Sequence, residues 1–222
     1  MNRSLFMIAG IVLSMNSSSQ TISFDKSNLE PNGVYMSIEK MNDKKVVRVV
    51  MDSALKGADL PTFVKVKSID LKDGTIEVKI LSRLLKTAPA SARGFIGVAF
   101  HIDSLNSKFE GIYLRPTNGR AEDQLRRNHS IQYFSYPGYD FDRLRKEAEG
   151  VYESYADMGL NEWITMRIAV KGKQAKLFLN DNKQPSLIVN DLKLGDNVSG
   201  AIGLWVDVGT EGYFKDLKIT KH

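Results

Sequence analysis

This chain of 222 residues has no cysteine and only three histidines, the last of them terminal. The first absence excludes disulfides, thiol chemistry and cysteine–zinc centres, so stability has to come from packing. The second leaves His101 and His129 as the inner imidazoles, too few for a catalytic zinc. There is no glycine-rich phosphate loop, no dinucleotide fingerprint and no Gly-x-Ser-x-Gly nucleophile turn. Long apolar runs are missing too: the one marked stretch, residues 5–13, is too short to cross a bilayer. No internal repeat or low-complexity tract breaks up the rest.

The N-terminus reads MNRSLFMIAGIVLSMNSSSQ, with one early Arg3, the apolar stretch and then small polar residues. This is the layout of a secretory signal peptide with cleavage after Ser19. With no cysteine behind the apolar stretch, a bacterial-type lipid anchor is excluded. The expectation is a leader over residues 1–19, one domain over residues 20–222, and a secreted or periplasmic location. Roughly 200 residues suffice for one β-sandwich with a sizeable core. The net charge of +5 becomes +4 when Arg3 leaves (5 − 1 = 4). Lysines are scattered singly and form no basic stripe, so neither nucleic acid nor a membrane surface is an expected partner.

Apolar and polar residues alternate in short runs, which predicts strands near residues 34–39, 46–52, 62–69, 75–81, 95–102, 110–115, 131–135, 163–170, 174–179, 201–208 and 213–219. Turns such as Lys72-Asp73-Gly74 and Lys171-Gly172-Lys173 separate them. Only residues 140–149 read as a helix. Many short, evenly spaced strands predict an all-β, antiparallel jelly-roll β-sandwich with one short helix in a long loop.

That loop is the most unusual segment. From Arg115 to Arg145 it holds six of the eleven arginines and none of the twenty lysines. Arginine is preferred over lysine where a planar, permanently charged fork must hold a ligand or carboxylate in fixed geometry. A polar connection this long inside a compact domain is usually functional or disordered, and its aromatics (Tyr133, Phe134, Tyr136, Tyr139, Phe141) argue against disorder.

The segment NEWITMRIAVKGKQAKLFLND, followed by GAIGLWVDVGTEGYFKDLKI, resembles the last hairpin and closing strands of the concanavalin A-like lectin/glucanase jelly roll. A Trp opens a strand, a glycine turn reverses it, and a Gly-Leu-Trp strand precedes a terminal Phe-x-x-Leu-x-Ile. The superfamily includes laminin-G-like modules and 3-keto-disaccharide hydrolase domains. The middle segment YLRPTNGRAEDQLRRNHSIQYFSYP, with RLRKEAEGVYESY after it, is similar to secreted bacterial proteins of this fold. The resemblance spans roughly residues 94–219. It implies a concave sheet whose outer face holds sugar, and it allows a structural calcium bound by loop carbonyls and Asp. Activity stays open, because one fold hosts lectins, hydrolases and structural modules.

Strand periodicity sorts the side chains by face. Over residues 95–102, Ile96, Val98, Phe100 and Ile102 are expected inward, with Phe95, Gly97, Ala99 and His101 opposite. Tyr113 and Arg115 oppose Ile112 and Leu114. Gly203, Trp205 and Asp207 oppose Ile202, Leu204, Val206 and Val208. Trp163, Thr165 and Arg167 oppose Ile164, Met166, Ile168 and Val170. Placed on one sheet, these strands predict a groove floored by Gly97, Ala99 and Gly203, walled by aromatic and charged groups, and covered by the Arg-rich loop. Sugars suit such a groove: their C–H faces stack on aromatic rings and fixed polar groups read their hydroxyls. The expected binding set is His101, Tyr113, Arg115, Asn118, Arg120, Arg126, Arg127, Asn128, Gln132, Tyr133, Tyr136 and Trp205. Arg143 and Arg145, with Glu147 and Glu149, read as helix-surface pairs.

Glycoside hydrolysis usually needs two facing carboxylates. The Glu-x-Asp-x-(x)-Glu run of the retaining glucanases in this superfamily is absent, and no spacing pairs the acids that are present. Glu153 and Asp207, with His101 assisting, are the catalytic candidates. Three readings follow: a secreted carbohydrate-binding protein; a glycoside hydrolase related to 3-keto-disaccharide hydrolases; or a structural or protein-interaction module, which would show an exposed apolar patch. No cofactor is expected beyond the calcium the resemblance allows, and oligomeric state is not legible. A carboxylate pair in the groove would favour the enzyme; aromatics lining a cleft without one would favour binding.

Overall fold

The computed structural model describes residues 18–222. The leader expectation for residues 1–19 lies almost wholly outside them. The described elements run β1 (Ser18–Thr21), β2 (Leu29–Asn32), β3 (Val34–Met41), β4 (Lys44–Met51), β5 (Phe63–Leu71), β6 (Gly74–Leu84), β7 (Ile96–Ile102), β8 (Phe109–Leu114), α1 (Pro116–Gly119), α2 (Gln124–Asn128), β9 (Ile131–Tyr136), α3 (Phe141–Glu147), β10 (Glu153–Ser154), β11 (Ile164–Lys171), β12 (Gln174–Leu179), β13 (Leu187–Val189), β14 (Gly200–Val206) and β15 (Thr210–Lys221). All eleven expected strands are present. The four strands the pattern missed, β1, β2, β10 and β13, have at most four residues each, too few to show a period of two.

The strands form two antiparallel sheets, one in the order β13-β12-β11-β6-β15-β4-β3 with β1 against β15, the other β10-β9-β8-β7-β14-β5-β2. Alternation on β11 puts Ile164, Met166, Ile168 and Val170 inward, where they meet Ile76, Val78 and Ile80 of β6. Across the sandwich the same core takes Ile96 and Val98 of β7, Ile112 and Leu114 of β8, and Ile202, Leu204 and Val206 of β14. Each such side chain, fully removed from water, contributes roughly 1.5–3 kcal/mol. The fold is therefore the jelly-roll sandwich that the strand pattern predicts.

Three expectations need correction. The first concerns β11, which belongs to the sheet opposite β7, β8 and β14, so Trp163, Thr165 and Arg167 share no face with Tyr113 or Trp205. The second concerns helix number: three short helices occur where one was expected. In α2 the Asp123 side chain caps the first turn, accepting from the Arg126 N–H at 2.8 Å, while α1 starts on Pro116 in a turn-like Pro-Thr-Asn-Gly.

The third concerns the sheet face expected to hold sugar, which is not open. Every residue of β7 and β8 is buried, on both faces. The outer side is covered by the chain's own rings: Phe63, Phe109, Tyr113, Phe134 and Trp205 form a second apolar cluster with Ala99, Ile102 and Ala201. Tyr113 stacks on Trp205 at 4.8 Å between centroids. The small residues read as a sugar floor are seats for these rings. A Cβ on Gly97 would meet the Ile112 carbonyl oxygen at 2.2 Å and Tyr113 at 2.5 Å, and one on Gly203 would meet Phe63 at 2.9 Å.

Candidate functional site

A cavity of about 600 Å³ opens at the rim of this sheet, where the chain leaves β8 and β14 and enters β7. Tyr113 and Arg115 reach it from the end of β8, Asp207 and Val208 from the end of β14, and Arg93 and Phe95 from the approach to β7. Asp59 comes from the loop between β4 and β5, Asn118 from α1, Leu125 and Arg126 from α2, and Phe141 and Arg145 from α3. The Arg-rich segment thus does wrap the mouth of a cavity, but beside the sheet face instead of over its middle.

Arg115 organises one wall. It is 5% exposed, and its NH2 group donates to the Tyr113 hydroxyl at 2.9 Å and to Gln132 Oε1 at 3.1 Å. Its NH1 group donates to the His129 carbonyl at 3.1 Å and to Glu153 Oε1 at 3.2 Å. Glu153 also receives Arg145 through Nε at 2.9 Å and NH2 at 2.5 Å. Burial alone would raise the Glu153 carboxyl; the Arg145 hydrogen bonds and the charges of Arg115, Arg145 and His129 outweigh it and hold it below its ordinary value. His129 Nδ1 lies 2.9 Å from Glu153 Oε2, yet off the line a hydrogen bond needs, and burial wins over the attraction, holding the imidazole below its usual value. Glu153 is therefore a clamped counter-ion for two guanidinium groups, Arg115 and Arg145, a role at odds with acid–base catalysis.

Two buried acids line the same cavity. Asp59 is 2% exposed and Asp207 3%. Asp59 Oδ2 accepts the Phe141 N–H at 2.7 Å, and the Asp59 N–H donates to Asp207 Oδ2 at 3.2 Å. Asp207 Oδ1 accepts the Val208 N–H at 2.6 Å. Asp59 Oδ1 is buried with no close hydrogen-bond partner in the protein. Burial pushes Asp59 up to about 7, with the Asp207 charge adding to it against the Phe141 N–H, Arg115 and a weak hydrogen bond from the Tyr113 hydroxyl. Burial lifts Asp207 to about 6 against two backbone N–H groups and Arg115. Tyr113, held neutral by burial, stands between Arg115 and Asp59.

The expected set divides. Tyr113, Arg115, Asn118, Arg126 and Asp207 line the cavity, and Gln132 supports Arg115 from behind. Arg145, read as a helix-surface residue, turns inward to Glu153; Arg143 does pair with Glu147, at 2.6 Å. Arg120 points away, to Asp157 and Glu162, and Arg127 to Tyr155. Asn128 faces Gln124, and Tyr136 stacks on Phe109 at 5.3 Å. Trp205 is wholly buried, its Nε1 donating to the Leu60 carbonyl, so it offers no platform to a ligand.

His101 and Tyr133 are on the other side of the sheet. His101 adopts a positive φ of 55°, and the β7–β14 register shifts there. This bulge reverses the alternation: Ile102 joins the outer ring cluster, and the His101 Nδ1 meets Glu110 Oε2 at 2.9 Å. Glu110 Oε1 accepts the Tyr133 hydroxyl at 2.8 Å. Among the described residues no three His, Cys, Asp or Glu side chains converge as metal ligands. Periodicity missed Asp59, Arg93, Phe141 and Arg145 as site residues, because they sit on loops or helix ends where no strand pattern applies.

No protein-family model and no curated protein matches the chain. Its structure is similar to that of a protein named as a candidate glycosyl hydrolase from Parabacteroides distasonis, with a TM-score of 0.55, 14% identity, and 92% of this chain and 100% of that one covered. It is similar to a protein of galectin-like fold from Bacillus subtilis, at TM-score 0.53, 10% identity, and coverage of 89% and 92%. It is also similar to a carbohydrate-binding module from Bacillus subtilis, at TM-score 0.51, 12% identity, and coverage of 85% and 96%. At these identities the likeness establishes the fold.

Proposed function

On this concanavalin A-like jelly roll, we propose a secreted glycan-binding protein whose sugar site is the rim cavity at Arg115 and Asp59. One observation carries the reading: a cavity of about 600 Å³ holds the buried Asp59 carboxyl, whose Oδ1 makes no close hydrogen bond in the protein and whose side chain feels only a weak pull from the Tyr113 hydroxyl. Small-molecule sites are usually clefts of about 300–1,000 Å³ with apolar walls and a few fixed polar groups. Here Phe95, Phe141 and Val208 supply apolar wall, and Asp59, Asp207, Tyr113 and Asn118 supply the polar groups. Asp59, near 7, can donate or accept to a sugar hydroxyl, while Asp207 near 6 is mainly an acceptor at neutral pH. The similar carbohydrate-binding module has the same fold. Secretion rests on the leader-like residues 1–19.

A second reading has its own support. Two buried acids at about 7 and about 6 in one cavity match a general acid and a general base, Asp59 protonating a leaving glycosidic oxygen while Asp207 activates water. A glycan array combined with a release assay on wild type, Asp59→Asn and Asp207→Asn separates the two. For a binding protein, no product is released and each variant weakens binding about tenfold, roughly 1.4 kcal/mol. For a hydrolase, wild type liberates sugar and the variants lose roughly 10²–10⁴-fold in rate while still binding. If no glycan binds, or both variants bind as wild type does without turnover, the cavity is not the sugar site.

A further inference from the structure

Resting on the glycan reading, we propose that the cavity takes an acidic sugar, one bearing a carboxylate or sulfate, with its oxyanion held between Arg93 and Arg126. Both side chains line the cavity and both are partly exposed. The other two arginines there are matched: Arg115 and Arg145 face Glu153. Among the described residues neither Arg93 nor Arg126 forms an ion pair. Asp123 is the acid nearest in sequence to Arg126, but its Oδ1 caps α2 through the backbone N–H, and it makes no ion pair with the guanidinium.

The two guanidinium groups are nevertheless held in place, by neutral acceptors. Arg93 NH1 donates to the Ala90 carbonyl at 2.7 Å and the Ala92 carbonyl at 2.9 Å. Arg126 Nε donates to Asn118 Oδ1 at 2.9 Å and its NH2 to Thr117 Oγ1 at 3.2 Å. A guanidinium has five N–H donors, so each keeps about three for a ligand. Burial, then the charges of Arg126 and Arg115, holds Arg93 below the usual guanidinium value. Like charges held together without a counter-ion are costly in a free protein. That cost is relieved when an oxyanion accepts from both forks, in the geometry arginine offers better than lysine. Asp59 and Asp207 line the same cavity, and for these buried acids a neutral hydroxyl is the better partner. The arrangement therefore reads both ends of a sugar that is acidic at one position and hydroxylated at others.

The test is calorimetric and NMR titration of the whole protein with glucuronate, galacturonate, glucose 6-sulfate, glucose and galactose, repeated with Arg93→Gln and Arg126→Gln after confirming unchanged melting. The expected result is an acidic sugar binding at least tenfold tighter than its neutral counterpart. Each variant then loses about tenfold for the acidic sugar and little for the neutral one, and added salt weakens only the acidic sugar. Preference for the uronates assigns the group as a carboxylate; preference for glucose 6-sulfate assigns it as a sulfate. If neutral sugars bind as well as acidic ones, or if both variants keep the acidic preference, the oxyanion site is wrong while the glycan reading survives. If no sugar of either kind binds, the glycan reading fails and takes this inference with it.

Discussion

Replacing Asp59 by Asn keeps the side-chain shape and the acceptor for the Phe141 N–H, and removes one titrating group. Wild-type Asp59 moves from an ordinary 3.8 to about 7 in the fold, chiefly because burial disfavours its charge. A carboxyl whose folded value is raised binds more protons folded than unfolded between those two values. Stability therefore falls as pH rises from about 4 to about 7. At about 1.4 kcal/mol per pH unit, the loss attributable to Asp59 between pH 5 and pH 8 is about 2–3 kcal/mol. Asp207, at about 6, adds about 1 kcal/mol that the variant retains. Asp59→Asn should thus gain on wild type by about 2–3 kcal/mol over that interval, or roughly 4–12 °C in Tm for a domain of this size. Differential scanning calorimetry of both proteins at several pH values between 5 and 8 reads this directly. Parallel Tm curves would refute the reasoning, because they would mean that Asp59 is ionised and solvated in the folded protein.

Two further outcomes test the corrected geometry. Glu153→Gln leaves Arg115 and Arg145 without their carboxylate; breaking a buried pair costs about 3–5 kcal/mol, and Arg145 is a third exposed, so the lower end is expected. The Glu153 carboxyl is depressed in the fold, so its contribution is present above its ordinary value of 4.5 and lost as pH falls through the lower folded one. Calorimetry should show the variant and wild type converging in acid, and a gap of under 1 kcal/mol at pH 7 would remove Glu153 from its clamping role. Trp205→Ala should cost about 3–5 kcal/mol in urea unfolding, as for any large buried ring. Unchanged stability with weakened glycan binding would mean that Trp205 is an open stacking platform after all.

The candidate site was partly legible. Tyr113, Arg115 and Asp207 share the cavity because periodicity correctly put them on the face of β8 and β14 away from the main core. The run of arginines without lysine marked α1, α2 and α3, and Arg126 and Arg145 from it line the same cavity. What periodicity could not supply was occupancy of that face. A strand pattern tells which way Trp205 points and not whether Phe63, Phe134 and Tyr113 already fill the space. It also assumes an unbroken period, and one positive-φ residue, His101, moved itself and Ile102 to opposite faces from those expected. Asp59 had no signal, since its place depends on a loop folding back 148 positions in sequence from Asp207.

By itself the sequence determined the all-β jelly roll, because short alternating runs between glycine and Asn/Asp turns have few other ways to bury their apolar halves. It also determined that no thiol or histidine-rich metal chemistry is available, because those side chains are missing. Only the tertiary structure decided where a ligand can go. Ring packing closed the outer face of the sheet that carries β7, β8 and β14, and loop closure brought Asp59, Asp207, Arg93 and Arg126 around one cavity. Packing and loop closure join residues far apart in the chain, and no local period encodes that distance.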